Sequence, residues 1–358
     1  MRIAYIIPSL KQKGPIIVVK EIVENLIKLG VDKENIVIFY FDNSNDIDFP
    51  VQTIKIKFFS SLKDYNIDIY HSHMLRPDLF LFKEKVVKKL IINQKKSYYI
   101  TTLHQRNYDQ FVYEGNNKII SAIISILWEL IISAFDKIIV FSPSMKSYYK
   151  TRILRSSKKL DIIANGRTIE KCIYRDVKEK DKIFLGSSCN LNKRKNIDKV
   201  LLSIKNIESA EYFIIGDGPE KNNLINLAKE LGIENRVHFM GYKSNALDYY
   251  ELFDIFILLS DSEGMSLSLI EAAALKKTII CSKIEPNLDM FTEKEVIFVN
   301  QHNIQEVEDA IRNAPKYNLG ESAYMRYINN YTGICMAEKY LDLYKDLLNK
   351  ANSQRKNS

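Results

Sequence analysis

Glu263 and Glu271 stand eight residues apart in the run Ser260-Asp261-Ser262-Glu263-Gly264-Met265-Ser266-Leu267-Ser268-Leu269-Ile270-Glu271-Ala272. The apolar stretch Ile255–Leu259 before it reads as a strand, and the pattern from Leu267 to Leu275 as a helix. Glu263 then closes a strand-to-helix loop, and Glu271 lies about one turn into the helix. Gly264 and Ser266 are small and leave backbone N–H groups free at the helix N-terminus. Such an end cradles an anion, and a diphosphate would fit. Two carboxylates beside an anion site repel it, unless their work is to accept hydrogen bonds from vicinal hydroxyls of a sugar and a ribose. Lys195, within Lys193-Arg194-Lys195, is a candidate phosphate contact, although such a run also reads as a solvated loop. On spacing alone, two glutamates are a weak signal, because any exposed helix supplies them.

Other chemistries find less support. No GxGxxG and no GxxxxGK occurs, which removes a hydride-transfer cofactor site and a P-loop. The four cysteines, Cys172, Cys189, Cys281 and Cys335, form no CxxC pair, and the five histidines form no HExxH. Neither a disulfide scaffold nor a zinc site is expected, and no aspartate-x-aspartate motif for a divalent metal falls in a suitable loop. His104 follows a strand-like run and is a candidate ligand contact. His71 and His73 are two apart, so they share one face of a strand. Gly216-Asp217-Gly218-Pro219 reads as a structural strand-to-helix turn with Pro at the helix start.

These residues need a scaffold that puts strand ends together. Apolar strand-like runs at Ile3–Ile7, Ile36–Phe41, Ile54–Phe58, Ile67–Tyr70, Tyr98–Thr102, Lys137–Phe141 and Lys159–Ile163 alternate with helical patterns such as Ile16–Leu29 and Pro77–Asn93. After Asn165-Gly166 the rhythm restarts with strands at Lys182–Gly186, Tyr212–Gly216, Val237–Gly241, Ile255–Leu259 and Thr278–Cys281. Helices at Asn196–Ile204, Glu220–Leu231, Asn245–Leu252 and Leu267–Leu275 separate them. Continuous apolar strands between helices predict parallel sheets covered on both faces. The expected fold is α/β, two tandem Rossmann-like domains with a ligand cleft between the carboxyl ends of their sheets. The expected boundaries are 1–166 and 167–350, with a frayed polar tail at 351–358. With 46% hydrophobic and 27% charged residues, 358 residues suit a folded two-domain protein.

The charge is uneven. Residues 1–168 hold 26 Lys+Arg against 16 Asp+Glu, a net of +10, and residues 169–358 hold 26 against 28, a net of −2. A basic half points to an anionic partner, nucleic acid or a membrane surface. No RNP-like aromatic motif or helix-turn-helix pattern supports nucleic acid. Ile119–Phe135 is a 17-residue apolar run with one charge, Glu129. It sits at the short limit for a membrane span, and a central Glu costs about 2.5 kcal/mol or more there. It also falls between two strands of one sheet, so a buried or membrane-facing helix is expected. The first residues, MRIAYIIPSL, have too short an apolar run for a secretory signal, and a reducing cytoplasm is the default location.

The chain resembles the retaining nucleotide-sugar glycosyltransferases of the GT-B fold, in the large family numbered four. The resemblance covers about residues 1–300 and is strongest over 182–290. Tyr212–Glu271 follows that family's signature block, with Glu263 and Glu271 on its Glu-x7-Glu motif. Asn190-Leu191-Asn192-Lys193-Arg194-Lys195 lines up with its Arg-Leu-x-x-x-Lys segment, so Asn190 stands where the family carries Arg. Lys276 stands where a Gly is usual. Asp68–His73, Thr101–His104, Ile138–Ser142 and Ile163–Gly166 fall at family positions in the first half.

The resemblance implies roles. Glu263, Lys195 and His104 would be the catalytic set. Lys195 would meet the donor diphosphate, Glu263 the donor sugar, Glu271 the ribose, and His104 the donor sugar from its own side. The backbone of Gly264, Met265, Ser266 and Leu267 would hold phosphate, with Asn190 at the same site. Gly241 and Tyr242 would flank the base, Gly14 would approach the phosphate or the acceptor, and His73 would lie nearer the acceptor. The implied reaction moves a sugar from a nucleoside diphosphate to a hydroxyl, with retention and without a metal or other cofactor. The implied partners are a nucleotide sugar, a glycan or lipid-linked glycan acceptor, and an anionic membrane surface at the inner face of the cell membrane. The two segments considered for that contact are Asp78–Asn93, with Lys95 and Lys96, and Ile119–Phe135. Two alternatives share the architecture: a nucleotide-sugar 2-epimerase, and a partner subunit whose site is degraded at Asn190.

Overall fold

The computed structural model describes residues 1–90, 97–113, 115–170 and 182–356. The chain forms two compact units, Met1–Thr168 with Gly333–Ser358, and Ile169–Thr332. In the first unit the order is β1 (Ile3–Leu10), α1 (Gly14–Lys28), β2 (Ile36–Asn45), β3 (Gln52–Lys55), β4 (Ile69–His73), α2 (Leu75–Leu90), β5 (Tyr98–Thr102), α3 (Asn107–Tyr113), α4 (Lys118–Ile132), β6 (Lys137–Val140), α5 (Pro143–Lys150), α6 (Ser156–Lys159) and β7 (Leu160–Ile162). The second contains β8 (Ile183–Ser188), α7 (Ile197–Ile204), β9 (Ala210–Ile215), α8 (Lys221–Glu230), β10 (Val237–Gly241), β11 (Ile255–Leu258), α9 (Leu267–Ala274), β12 (Thr278–Ser282), α10 (Glu285–Met290), β13 (Ile297–Val299), α11 (Ile304–Asn313) and α12 (Gly320–Asn330). The last helix, α13 (Gly333–Lys356), returns to the first unit.

Both sheets are parallel throughout. The first has the order β3-β2-β1-β4-β5-β6-β7, the second β10-β9-β8-β11-β12-β13. In each, the chain steps outward one way from the first strand and then crosses to the other side of it. That reversal is the doubly wound pattern, and it gathers loops at strand carboxyl ends. Every residue of β4, β5 and β11 is buried, as strands covered on both faces must be. The second unit's core is aliphatic, with Leu185, Val200, Leu201, Ile204, Ile214, Ile257 and Ile280 among its buried members.

Three expectations change. The second unit ends at Thr332 rather than 350. The cause is the side chains of α13: Tyr344 donates to or accepts from Tyr5 at 2.9 Å and His71 Nδ1 at 2.7 Å, and Tyr340 meets Thr102 Oγ1 at 3.0 Å. These groups would be buried without partners if the helix left the first sheet. The expected frayed tail is also helical as far as Lys356. Finally, Asn245–Leu252 is a 3₁₀ turn over Ala246–Leu252 rather than an α-helix.

Gly333 marks the point of return. Its N–H donates to the Arg167 carbonyl at 3.0 Å, so the outgoing and returning strands of chain touch. A Cβ there would lie 2.3 Å from Thr168 Oγ1 and 2.5 Å from Asn25 Nδ2, so a side chain would have to push these groups out of the crossing. Buried Glu21 of α1 fastens the crossing, accepting from Arg167 at 2.6 Å and from the Thr168 N–H at 3.0 Å.

Candidate functional site

In the second unit the strand-end loops converge on Glu263. Lys195, on a single 3₁₀ turn after β8, is buried, and its ammonium forms a short ion pair with Glu263 Oε1. Arg194 donates to the Ser262 carbonyl at 2.5 Å and reaches 3.8 Å from Glu263 Oε2. Burial alone would raise the Glu263 carboxyl, but Lys195 and Arg194 outweigh it and hold the group below the usual range. Glu263 is therefore an anion at neutral pH, in direct contact with a cation.

Asn196 makes this turn possible. It sits at φ 50°, a left-handed conformation that Asn tolerates better than most residues. Its amide donates to the Leu259 carbonyl at 2.8 Å and to Asp261 Oδ1 at 2.6 Å. The Lys195 turn is thereby stitched to the loop after β11 that carries Glu263.

Helix α9 begins where that loop ends. Ser266 caps it, accepting from the Leu269 N–H at 3.4 Å, and meets Ser268 Oγ at 3.0 Å. Gly264, Met265, Ser266 and Leu267 lead into this end as expected, with Met265 and Ser266 buried. Glu271 is the fifth residue of α9, buried, and its Oε2 accepts from the Tyr250 hydroxyl at 3.2 Å. Tyr250 is itself fully buried and stacks on Phe256 at 5.5 Å.

The neighbouring turns are held by close backbone approach. Gly216, at φ 134°, accepts no side chain, because a Cβ would lie 1.9 Å from the Cys189 carbonyl oxygen. At Gly218 a Cβ would meet the Leu191 carbonyl at 2.4 Å and Asn190 Oδ1 at 2.5 Å. The Gly216–Gly218 turn thus supports the Cys189–Leu191 loop from beneath, the structural role expected of it. Asn190 is exposed on that loop. Gly241 ends β10 at φ 71°, its carbonyl accepting from the Gly216 N–H at 2.8 Å, and Tyr242 beside it is exposed. Burial pushes the Cys189 thiol up to about 11, so it is no thiolate at neutral pH.

In the first unit His73 and His104 meet. His73 Nδ1 lies 2.9 Å from His104 Nε2, and the His71 ring is 4.5 Å from that of His73. Burial lowers His71 and His104 to about 3 and His73 well below its ordinary value, so all three are neutral at pH 7. His104 is half-buried, whereas His73 has no exposed surface, which differs from an acceptor-contacting His73. Here it backs His104 instead. Gly14 is exposed at the first position of α1, followed by Pro15. Among the described residues no group of three or more His, Cys, Asp or Glu is arranged to hold a metal ion.

Residues 171–331 match the family described as "Glycosyl transferases group 1". Along 97% of its length the chain is 33% identical to an O-antigen biosynthesis glycosyltransferase, WclY, of Escherichia coli, covering 99% of that protein. The chain belongs to the group 1 glycosyl transferases. Its fold is GT-B. Sucrose-phosphate synthase from Thermosynechococcus elongatus superimposes with a TM-score of 0.81 at 16% identity, over 98% of this chain and 100% of that one. Anabaena HepE, solved with UDP and glucose, gives 0.76 at 12% identity over 96% and 99%.

Two residues of this glycosyl transferase escaped the sequence reading. Tyr250 and Asn196 hold Glu271 and the Lys195 turn, and each bonds a partner 21 or more residues away. For Asn196 a signal existed, since an Asn directly before a helical pattern is a candidate for a left-handed turn or a cap. Tyr250 has none, because an aromatic residue in an apolar pattern reads as core.

Proposed function

We propose that this glycosyl transferase moves a sugar, with retention at the anomeric carbon, from a nucleoside-diphosphate sugar to a hydroxyl of a lipid-linked surface-glycan intermediate at the inner face of the cell membrane. The observation that carries this reading is the buried pair of Lys195, on the turn after β8, and Glu263, on the loop leading to the capped end of α9. A cation, a row of backbone N–H donors and two buried carboxylates are what a sugar diphosphate requires. The carboxylates take hydroxyls and the cation takes phosphate.

Lys195 contacts the donor diphosphate, its ammonium oriented by Glu263. As the bond from the anomeric carbon to the diphosphate oxygen breaks, negative charge grows on the leaving group. Lys195, Arg194 and the α9 N-terminus stabilise that charge without reorganising. The same positive groups support a metal-independent reaction. Glu263 accepts from donor-sugar hydroxyls, and Glu271, oriented by Tyr250, from the ribose. Asn190 and the backbone of Gly264–Leu267 border the phosphates, Gly241 and Tyr242 the base, and Gly14 the phosphate or the acceptor. His104, neutral and braced by His73, is a hydrogen-bonding group for the donor sugar. In a same-face attack the acceptor hydroxyl bonds to the anomeric carbon while a departing phosphate oxygen takes its proton. The O-antigen role named for the 33% identical relative supports a surface glycan as product.

Screening UDP-, GDP- and ADP-sugars for protection against thermal unfolding identifies the donor. The anomeric configuration of the product, read by proton NMR, tests retention, and turnover in excess EDTA tests metal independence. An inverted product, or loss of activity that added metal restores, overturns the corresponding part.

A further inference from the structure

Lys83 and Lys85 of α2 serve the first unit's own fold, Lys83 donating to the Phe58 and Ser60 carbonyls and Lys85 to Asp136. Asn93, Lys95 and Lys96 lie outside the described residues. Among the described residues no helix is long and apolar enough to cross a membrane. In the second unit a charged group outside the Glu-x7-Glu motif stands two residues before Glu263, and its bonds lead into the site.

That group, Asp261, ties three strand-end loops together. Its own loop follows β11. Its N–H donates to the Arg194 carbonyl at 2.9 Å, and its Oδ1 accepts from the Asn196 amide at 2.6 Å. Asp261 therefore grips the residues on both sides of Lys195. The same oxygen accepts from Gln301 Nε2 at 3.2 Å and lies 3.2 Å from His302 Nε2. Gln301 and His302 come from the loop after β13, the edge strand, which β12 separates from β11.

The loop after β13 is fastened in this position by its own residues. Asn300 Oδ1 accepts from the His302 N–H at 3.1 Å, and the Asn300 N–H donates to Glu306 at 3.0 Å. Asn303 caps α11, accepting from the Glu306 N–H at 3.3 Å. The strand between adds a tie of its own, because Ser282 at the end of β12 donates to the Ser260 carbonyl at 2.6 Å.

The Lys195 turn needs such a hold. It is a single 3₁₀ turn of three residues, closed by Asn196 in a left-handed conformation, and so short a turn is not stable by itself. Lysine has a long flexible stem, so its ammonium is only as well placed as the backbone beneath it. A carboxylate is a strong acceptor for the amides that meet it, because charge-assisted bonds are about twice as strong as neutral ones. His302 is exposed, so a change there reaches the buried pair by way of Asp261.

We infer that Asp261 is a positioning residue for the donor diphosphate. It holds the Lys195 turn against the Glu263 loop, and through it the loop after β13 sets how tightly the diphosphate is bound. This rests on the reading of Lys195 as the diphosphate contact.

The test compares Asp261→Ala, which removes the acceptor, with Asp261→Asn, which keeps a carbonyl oxygen for Asn196. Acetylation of the full chain by acetic anhydride, read by mass spectrometry, reports whether Lys195 is released. Lys277, buried in the same unit and bound to the Phe253 carbonyl at 2.8 Å, reports general unfolding. Lys195 should react about tenfold faster or more in Asp261→Ala and within about threefold of the parent in Asp261→Asn, with Lys277 unchanged in both. UDP, GDP and ADP are offered to each protein in a calorimeter. The nucleotide that binds the parent should bind Asp261→Ala about tenfold more weakly, with Asp261→Asn close to the parent. Gln301→Ala combined with His302→Ala should weaken binding about threefold in the parent and add nothing in Asp261→Ala, as residues acting through one another require. Full additivity would remove the loop after β13 from the inference. Parent-like reactivity of Lys195 in Asp261→Ala overturns the assignment. So does equal acceleration at Lys195 and Lys277, which would make Asp261 a support of the whole unit. A parent that binds none of the three nucleotides would instead remove the donor-site reading, and the reactivity of Lys195 would still decide whether Asp261 holds its turn.

Discussion

Lys195 and Glu263 are 68 residues apart in sequence and form a buried ion pair. Each is delivered by the loop after a strand, β8 for the lysine and β11 for the glutamate, and these strands are neighbours in the sheet. The doubly wound order is what makes them meet. The pair keeps Glu263 ionised in a site that would otherwise protonate it.

Removing one partner strands the other. Lys195→Ala leaves a buried carboxylate with Arg194 alone, so it should destabilise the second unit by about 3 kcal/mol. It should also cut turnover by about two orders of magnitude, as should Glu263→Ala, if both act on the departing diphosphate and its sugar. Steady-state kinetics and urea unfolding measure the two effects separately. Turnover within about twofold of the parent for both variants would remove the pair from the reaction.

Glu271 offers a cleaner test of binding. Its contact with Tyr250 is peripheral to the Lys195 pair, so its loss leaves the electrostatics of Glu263 in place. Glu271→Ala should weaken nucleoside diphosphate binding by about 1–3 kcal/mol through lost charge-assisted bonds. Tyr250→Phe keeps the ring stack and removes only the hydroxyl that donates to Glu271, and should weaken it less. Calorimetry that finds equal affinity for parent and Glu271→Ala would take Glu271 out of the site.

The strand-to-helix loops of the site were legible because their signals are local. Glu263, Gly264, Ser266 and Glu271 lie within nine consecutive residues, and strand, loop and helix can be read in order there. The return of α13 was not legible. Tyr340 and Tyr344 are four apart and make an ordinary helical stripe, which says that a face is buried but not in which unit. For α4 the period was plain, yet the side that faces the core is the one carrying Ser121, Ser125 and Glu129. Only Asp78 and Arg152, 50 and 23 residues away, decide that rotation.

Lys276 carries a local strain that can be measured. It follows the C-terminus of α9 at φ 55°, where Gly is favoured. Its ammonium bonds Glu321 at 2.8 Å and lies 4.7 Å from the Tyr324 ring centroid, which anchors the turn to α12. Exposed pairs of this kind contribute about 0–1 kcal/mol, whereas a left-handed non-Gly residue costs about 1–2 kcal/mol. Lys276→Gly should therefore raise stability by up to about 1 kcal/mol. A fall in the unfolding midpoint would mean that the contacts to α12 outweigh the strain.

The buried titratable groups of the first unit set its response to acid. His71, His73 and His104 are held neutral, with His71 and His104 at about 3 against an ordinary value near 6.5. Below about pH 6.5 the unfolded chain binds protons that the folded one refuses, so stability falls as pH drops. For His71 alone the loss between pH 6.5 and 5 is about 2 kcal/mol. Asp78 acts in the opposite sense. Burial raises it to about 7, despite hydrogen bonds from Ser72, Thr101 and Trp128. Between about pH 4 and 7 the folded chain holds a proton there that the unfolded chain has lost, so this term gains stability as pH falls. Burial also raises Glu21 and Glu129, which act in the same sense as Asp78. The three histidines outweigh these carboxyls, and acid should destabilise the unit. Asp78→Asn removes one opposing contribution. Relative to the parent, the variant should gain stability as pH rises from 5 to 7.5, by about 2 kcal/mol, and its own loss toward pH 5 should be steeper. Thermal unfolding of both proteins across that range measures the difference. A parent-minus-variant difference that does not change with pH would show that Asp78 is ionised throughout.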